Sequence, residues 1–376
     1  MKIAIMTQPL GSNYGGIIQA YALQKILRDL GHDVVTIDRQ HNKRSFVIRS
    51  LRPFKSTIYK ILGRKVTRKL SSEQNKYIHS GMTDFIDRYI QLSKPINSNA
   101  SMKSHYQKAN YDLVVVGSDQ VWRPKYSPSI YNFFMDFIKE EDKSIAYAAS
   151  FGTDEWEFDK AQTKHCKDLI KRFDAISVRE ISAVRLCKEK LGVDAQLVLD
   201  PTMLITGDEY GKLLPNRKPQ EEGRILRYIL DDSKNNNDII NQVATQLDKL
   251  IFTAQPARKL TDTNSDNMDE YKYPCVEEWI MSFRDADFVV TDSFHGCVFS
   301  IIFNKPFIAI GNKERGLGRF ESLLTIFGLS DRLVLDNNID IQALVKKEID
   351  WKEVNFRLIE YKAASMSFLK RSIVIN

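Results

Sequence analysis

Cysteine is scarce in this 376-residue sequence, and the four present (Cys166, Cys187, Cys275, Cys297) are scattered, with no pair at metal-binding spacing. That spacing speaks against a disulfide framework or a zinc ribbon and fits buried free thiols in a reducing cytoplasm. No apolar run approaches the roughly 18–20 residues that a membrane-spanning helix needs. No segment is low-complexity, so the whole chain reads as globular. Met1–Thr7 is a charged-then-apolar strand without a cleavage site, so no signal peptide is expected. The first strand-loop-helix unit lacks a G-x-G-x-x-G fingerprint, which removes the dinucleotide-binding reading.

Acidic residues are missing from one stretch altogether. Between Lys43 and Ser72 there are ten Lys or Arg residues and no Asp or Glu. The net charge of the chain is +7. Phe46, Val47, Ile48, Leu51, Phe54, Ile58, Tyr59, Ile61 and Leu62 interleave with the basic residues. Such a segment suits a solvated helical face, peripheral contact with an anionic membrane through residues 43–70, or an anionic substrate. No recognition motif supports nucleic acid as a partner.

What is present is a repeated α/β pattern. Residues 2–6 read as a strand, 7–16 as a polar glycine-containing loop, 17–30 as an amphipathic helix and 32–38 as a second strand. A basic helical insertion follows at about 42–110, including one helix over 73–91. Further strands are expected at 111–116, 144–150, 175–178 and 196–199. A polar, proline-containing stretch then separates a second set, with strands at 224–230, 250–253, 286–291 and 305–310. The strands are apolar runs rather than alternating ones, which suits parallel strands covered by helices on both faces. The expected fold is α/β, with two Rossmann-like domains at 1–205 and 206–376 facing a cleft. The final helices would pack back on the first domain. A ligand belongs at the carboxyl ends of the strands, between the sheets.

The most informative stretch is 286–296, Ala-Asp-Phe-Val-Val-Thr-Asp-Ser-Phe-His-Gly. A buried strand runs into Asp292, Ser293 and Gly296, which open a helix predicted over 297–303. Such a turn aims backbone N–H groups and the positive end of the helix dipole at one point. His295 sits there, alone among six histidines in lying at a strand-to-helix turn. Its ordinary pKa suits acid–base work, and a helix start favours its neutral form. Other polar clusters fall at strand ends too: 11–16, 117–122, 179–180 and 311–319.

These clusters carry a family likeness. The pieces are Gly11-Ser12-Asn13-Tyr14-Gly15-Gly16 with Gln19-Ala20-Tyr21-Ala22-Leu23; Val116-Gly117-Ser118-Asp119-Gln120-Val121-Trp122; Ser177-Val178-Arg179-Glu180; Asp200-Pro201-Thr202; and Thr291-Asp292-Ser293-Phe294-His295-Gly296. In this order they resemble the polysaccharide pyruvyl transferase family. The resemblance implies an architecture similar to the B-type glycosyltransferases. It also implies a transferase that moves a pyruvyl group from phosphoenolpyruvate to two hydroxyls of a sugar, giving a cyclic ketal and phosphate in surface polysaccharide synthesis. Better-studied members carry an Arg-x-His arrangement at the second-domain strand end; here Ser293-Phe294-His295 keeps the histidine and lacks the arginine. A glycosyltransferase of the same architecture with a nucleotide-sugar donor is the other reading.

Phosphoenolpyruvate carries a carboxylate and a phosphate, which guanidinium groups pair bidentately and helix-start amides also hold. The donor residues expected on this basis are Arg179, Ser293, His295 and Gly296, with Arg315 and Arg319 supplying the missing cation. An acid must protonate the methylene carbon and a base must take the hydroxyl proton, work assigned to His295, Asp119 and Asp292. Acceptor binding falls to Asn13, Tyr14, Gly15, Ser118, Asp119, Gln120 and Trp122, with Trp122 stacking on a sugar ring. Asp200 reads as a hinge or strand stop. No metal or cofactor is expected, and phosphoenolpyruvate enters as co-substrate. The acceptor would be a sugar or lipid-linked oligosaccharide, met in the cytoplasm at the inner face of the membrane.

Overall fold

A computed structural model describes residues 1–42, 68–216, 224–262, 265–311, 316–335 and 340–374. Most of the basic stretch (43–67) and the candidate Arg315 lie outside the described residues. Arg68, near the end of that stretch, pairs with Asp266 of the second domain at 2.8 Å.

Eleven strands are described, in two sheets that are parallel throughout. The first sheet has β1 (Lys2–Met6), β2 (Asp33–Thr36), β3 (Leu113–Val116), β4 (Ser144–Ala149), β5 (Ala175–Val178) and β6 (Gln196–Leu197), in the order β2-β1-β3-β4-β5-β6. The second has β7 (Arg224–Tyr228), β8 (Leu250–Phe252), β9 (Phe288–Thr291), β10 (Phe307–Ile310) and β11 (Leu333–Val334), in the order β11-β10-β9-β7-β8. Each sheet reverses strand order once, between β1 and β3 and between β7 and β9, and a crevice opens at such a switch point. The central strands β3, β4 and β9 are buried at every residue, as the unbroken apolar runs require.

Helix boundaries differ from the sequence reading in informative places. The first helix begins at Tyr14, so Gly15 and Gly16 lie in its first turn rather than in a loop. The expected helix over 73–91 is two helices, Ser72–Ile78 and Ser80–Tyr89, broken at His79. A helix over Asn99–Ala109, unmarked by apolar periodicity, starts at a Ser98 capping box.

The interface between the sheets is filled on two sides. Tyr14 stacks on Trp279 at 5.3 Å and donates its hydroxyl to the Pro274 carbonyl at 2.6 Å. His79 stacks on Tyr273 at 4.8 Å. On the other side, the Ile181 amide donates to the Ser322 hydroxyl at 2.9 Å. Gly316, at φ +87°, lies so close to the Gly152 carbonyl that a Cβ would come within 2.1 Å of its oxygen. The last long helix, Trp351–Ile373, returns to the first sheet: Ser365 accepts the Leu199 amide at 2.9 Å, and Phe368 meets Tyr147. One apolar core therefore includes residues of both sheets. Among the described residues, no helix is long and apolar enough to cross a membrane.

Candidate functional site

The carboxyl ends of four neighbouring strands of the first sheet converge on one buried charge cluster. β3 delivers Asp119, β4 delivers Ser150, β5 delivers Arg179 and Glu180, and β6 leads to Asp200. Arg179 lies at the centre, 4% exposed. Its Nη1 donates to Asp200 Oδ2 at 2.6 Å and its Nη2 to Asp119 Oδ1 at 3.1 Å. Glu180 Oε2 stands 3.8 Å from Arg179 Nε, too far for a hydrogen bond. Asp200 is loaded on both oxygens: Oδ2 also accepts the Ser118 hydroxyl, and Oδ1 accepts the Thr202 amide and hydroxyl. Burial penalises its charge, but Arg179 and these donors outweigh that and hold Asp200 below the usual carboxylate range. Asp119 sits at φ +69°, a left-handed conformation that Asp tolerates better than most residues.

The second sheet closes the site from above. β9 ends at Thr291, and Ser293 caps the helix Phe294–Ile302 by accepting the Gly296 amide. The helix begins three residues earlier than the apolar pattern suggests, which puts His295 in its first turn. The Phe294 ring packs under the Arg179 guanidinium, at 4.7 Å from Cζ, and the Arg319 guanidinium faces the same ring at 5.9 Å. Gly296 is required here: a Cβ would come within 2.2 Å of Thr291 Oγ1.

His295 points back into the first domain and is 7% exposed. Its Nδ1 lies against Gly15, where a Cβ would come within 2.0 Å of that nitrogen. Two helix N-termini, one from each sheet, thus abut at the imidazole. Burial drives the His295 pKa down to about 4, against the opposing pull of Asp200. The ring is therefore neutral at physiological pH. Arg319 is half-buried, and desolvation of its guanidinium together with the nearby Arg179 pulls its pKa down to about 10.

Three buried polar atoms in this small volume have no hydrogen-bond partner: Arg179 Nε, Glu180 Oε2 and His295 Nε2. Native interiors leave few such atoms, and each calls for an explanation. These three, from both domains, lie close together, with Arg179 Nε and Glu180 Oε2 facing each other at 3.8 Å. Among the described residues no three His, Cys, Asp or Glu side chains are grouped to hold a metal ion.

Several expected site residues are committed elsewhere, which corrects their assignments. Trp122 is fully buried, donates Nε1 to the Phe133 carbonyl at 2.9 Å and stacks on Phe134, so it cannot reach a sugar. Tyr14 bridges the domains through Trp279 and Pro274, as above. The Ser118 hydroxyl is spent on Ala148 and Asp200 and its amide on Gln19. Asp292 accepts the Leu230 and Asp231 amides at 2.7 and 2.8 Å, tying β9 to β7 across the switch point. It lines a separate cavity of about 250 Å³ with Asp231, Ser233 and Asn236, which removes it from the catalytic set. Gly15 serves by admitting His295 rather than by touching an acceptor. Arg179 lies at the centre of the cluster, and two of its nitrogens already hold carboxylates. Asn13 is exposed at the start of the first helix. Gln120 is half-buried, its Oε1 accepting from Arg123 at 3.1 Å. The residues sequence reasoning missed are Asp200, Glu180 and Phe294; all three stood inside the quoted motifs, which was the available signal.

The polysaccharide pyruvyl transferase family model matches residues 13–314, most of the chain and every element of this site except Arg319. The chain belongs to the polysaccharide pyruvyl transferase family. General stress protein 30 of Bacillus subtilis (strain 168) is 25% identical over 190 residues, 49% of this chain and 50% of that protein. The chain thus matches about half the length of this relative. Solved structures are similar over nearly the full length. The S. aureus MnaA–UDP complex has a TM-score of 0.55 at 11% identity, covering 100% of this chain and 97% of that one. The glycotransferase of kitacinnamycin has 0.53 at 12%, covering 99% and 98%. The UDP-GlcNAc 2-epimerase of Methanocaldococcus jannaschii has 0.53 at 12%, covering 98% and 100%. At such identities these likenesses show the fold alone: two Rossmann-like α/β domains arranged as in B-type glycosyltransferases.

Two predictions arise from the geometry of His295. Gly15→Ala would ordinarily stabilise a helix by about 0.8–1 kcal/mol. Here the Cβ meets the imidazole, and overpacking of this kind costs roughly 1–3 kcal/mol. The clash is expected to win, lowering the unfolding midpoint in urea and displacing His295. The second concerns pH. The folded His295 pKa is about 4, against 6.5 for the free side chain. Between these values the unfolded chain binds a proton that the folded protein refuses, so stability falls as pH drops from 6.5 towards 4. Urea unfolding of His295→Gln across that window is expected to show a shallower loss than the parent protein.

Proposed function

We propose that this protein transfers a pyruvyl group from phosphoenolpyruvate to two hydroxyls of a sugar in the synthesis of a surface polysaccharide. The observation that carries the reading is the trio of unpartnered buried atoms around Phe294, with a neutral histidine among them. Family membership supports the reaction class.

The donor brings up to three negative charges, and the site has features that suit them. The Arg179 and Arg319 guanidinium groups face one ring, and two helix N-termini meet at His295. Arg319 stands in for the arginine that the Ser293-Phe294-His295 turn lacks, since it reaches the same ring from the following helix. His295, neutral and with Nε2 unengaged, is the base that takes the proton of the attacking sugar hydroxyl. Desolvation of the cluster strengthens each of these interactions once water is excluded.

Titration with phosphoenolpyruvate, followed by calorimetry, tests donor recognition directly. Binding is expected in the parent protein and should weaken strongly in Arg319→Ala. A panel of nucleotide sugars run in parallel discriminates the glycosyltransferase reading: binding of one of them, with none of phosphoenolpyruvate, would overturn this proposal.

A further inference from the structure

The second sheet has a pocket of its own that the reaction above does not use. A cavity of about 250 Å³ opens at the carboxyl ends of β7, β9, β10 and β11, between Asp231, Ser233, Asn236, Asp292, Ile310 and Leu335. It lies where strand order reverses between β7 and β9, and crevices at such points in open α/β sheets take ligands. We propose that this cavity is a carbohydrate subsite, holding one uncharged sugar ring of the acceptor other than the ring that reacts at His295. Its assignment to the acceptor rests on the reaction proposed above; its affinity for a sugar does not.

The polar groups of the cavity are fixed before any ligand arrives. Asp292 is 2% exposed, and its two carboxylate oxygens accept the Leu230 and Asp231 amides at 2.7 and 2.8 Å. Each of those oxygens has a second acceptor position. Asn236, also buried, donates Nδ2 to the Asp231 carbonyl at 2.8 Å, which sets the plane of its amide. Ser233 accepts the Asn236 amide at 3.1 Å as it caps the helix Lys234–Leu247, and its O–H can still donate. Two carboxylates, an amide and a hydroxyl present mostly acceptors. Their complement is a ligand that donates several hydrogen bonds, as sugar hydroxyls do, and bonds to an ionised carboxylate are among the stronger ones. A diphosphate would instead bring negative charge against Asp231 and Asp292, which repels it.

The opposite wall is aliphatic. Ile310 ends β10 in the cavity wall, and Leu335 follows β11 and stays 49% exposed. Gly311 lets Leu335 lie over the end of β10: a Cβ there would come within 2.5 Å of Leu335 Cδ2, so a larger residue would push the side chain aside. A pyranose has a face of C–H groups between its hydroxyls. Laid on Leu335, that face removes apolar surface from water on both partners. Size agrees with one ring: pockets for drug-sized ligands run to roughly 300–1,000 Å³, and about 250 Å³ is too small for a nucleotide sugar.

The cavity and the histidine flank one strand end. Asp292 precedes His295 by three residues, directly after β9. Asp292 turns towards β7, and His295 turns towards Gly15 of the first domain. An acceptor that fills both places spans the end of β9, so oligosaccharides are expected to be better acceptors than monosaccharides.

Saturation-transfer NMR on the full chain, without phosphoenolpyruvate, tests the subsite with methyl β-glucoside and methyl β-galactoside as probes. Transfer to ring C–H protons is expected in the parent protein. Asp231→Ala, which loses a charge-assisted hydrogen bond, should raise the dissociation constant about tenfold or more. Leu335→Ser, a change at a half-exposed position with little stability at stake, should reduce transfer to the C–H face. Added UDP or inorganic pyrophosphate should leave the signals in place. No transfer to either glycoside, transfer unchanged in both variants, or displacement of the glycosides by UDP would overturn the proposal. Phosphate release from phosphoenolpyruvate, assayed on the same sample with an oligosaccharide present, separates the two readings. Glycoside binding without phosphate release sinks the reaction and upholds the sugar site, though not its assignment to an acceptor. Phosphate release without glycoside binding sinks the sugar site alone.

Discussion

Replacing His295 by glutamine is expected to lower turnover by about 10²–10⁴-fold, the usual contribution of a positioned base. Donor affinity should change little, because the cations proposed to meet the donor are Arg179 and Arg319. The imidazole is 7% exposed, and its Nδ1 edge fills the space left by Gly15. Glutamine approximates that volume, so stability near neutral pH should be close to that of the parent. Steady-state kinetics alongside urea unfolding checks both halves. A variant that keeps its turnover but unfolds readily would make His295 a packing residue at the domain junction and nothing more.

Arg179→Met is expected to have the largest effect on stability. Removing one partner of a buried ion pair costs roughly 3–5 kcal/mol, since the remaining charge is left unpaired in the interior. Here one guanidinium serves Asp200 at 2.6 Å and Asp119 at 3.1 Å at the same time. Both would be stranded by methionine, although its bulk still covers the Phe294 ring. The loss should therefore fall at the upper end of that range, read as a lower midpoint in urea. Arg179→Lys should lie in between: it restores the charge, but an ammonium point cannot bridge two carboxylates as the planar fork does. If Arg179→Met unfolds like the parent protein, the cluster does not stabilise the fold and the ionisation assigned to it is wrong.

Much of the fold was legible because its signals are local. The Phe288–Thr291 strand is an apolar run closed by Asp292 and Ser293, and both strand and turn stand where the sequence puts them. The helix Asn99–Ala109 left no such mark, since only Met102 and Tyr106 of its residues are buried. Gly15 and Gly16 suggest a loop by propensity, yet they lie in a helix. For Gly15, the space that a Cβ would need is taken by a histidine some 280 residues away in sequence. Propensity carries no trace of that contact.

The site was legible in its motifs and illegible in its roles. Asp119, Arg179 and His295 all stood out as polar residues at strand ends, and the structure gathers them. Asp200 reads as a strand stop because a following proline suggests one; its work as the counter-ion of Arg179 depends on β3, β5 and β6 ending side by side. Trp122 and Ser118 belong to the same strand-end motif as Asp119, but the turn after β3 sends them into the core. A linear sequence shows which residues occupy a strand end and not which way the turn faces them. Glu180 is a further case: adjacent to Arg179, it looks like its salt-bridge partner, and the structure pairs the two at 3.8 Å, while its hydrogen bonds come from Ser150 and Gly152.

The central claim is that this buried cluster moves a pyruvyl group. The most direct measurement incubates the purified protein with phosphoenolpyruvate and free or lipid-linked oligosaccharides containing galactose or glucose. Phosphate release and acceptor mass are followed together. The account predicts stoichiometric phosphate and a gain in acceptor mass equal to one pyruvate ketal, both abolished in His295→Gln. Phosphate release without any change in acceptor mass, or a mass gain that instead requires a nucleotide sugar, would contradict it.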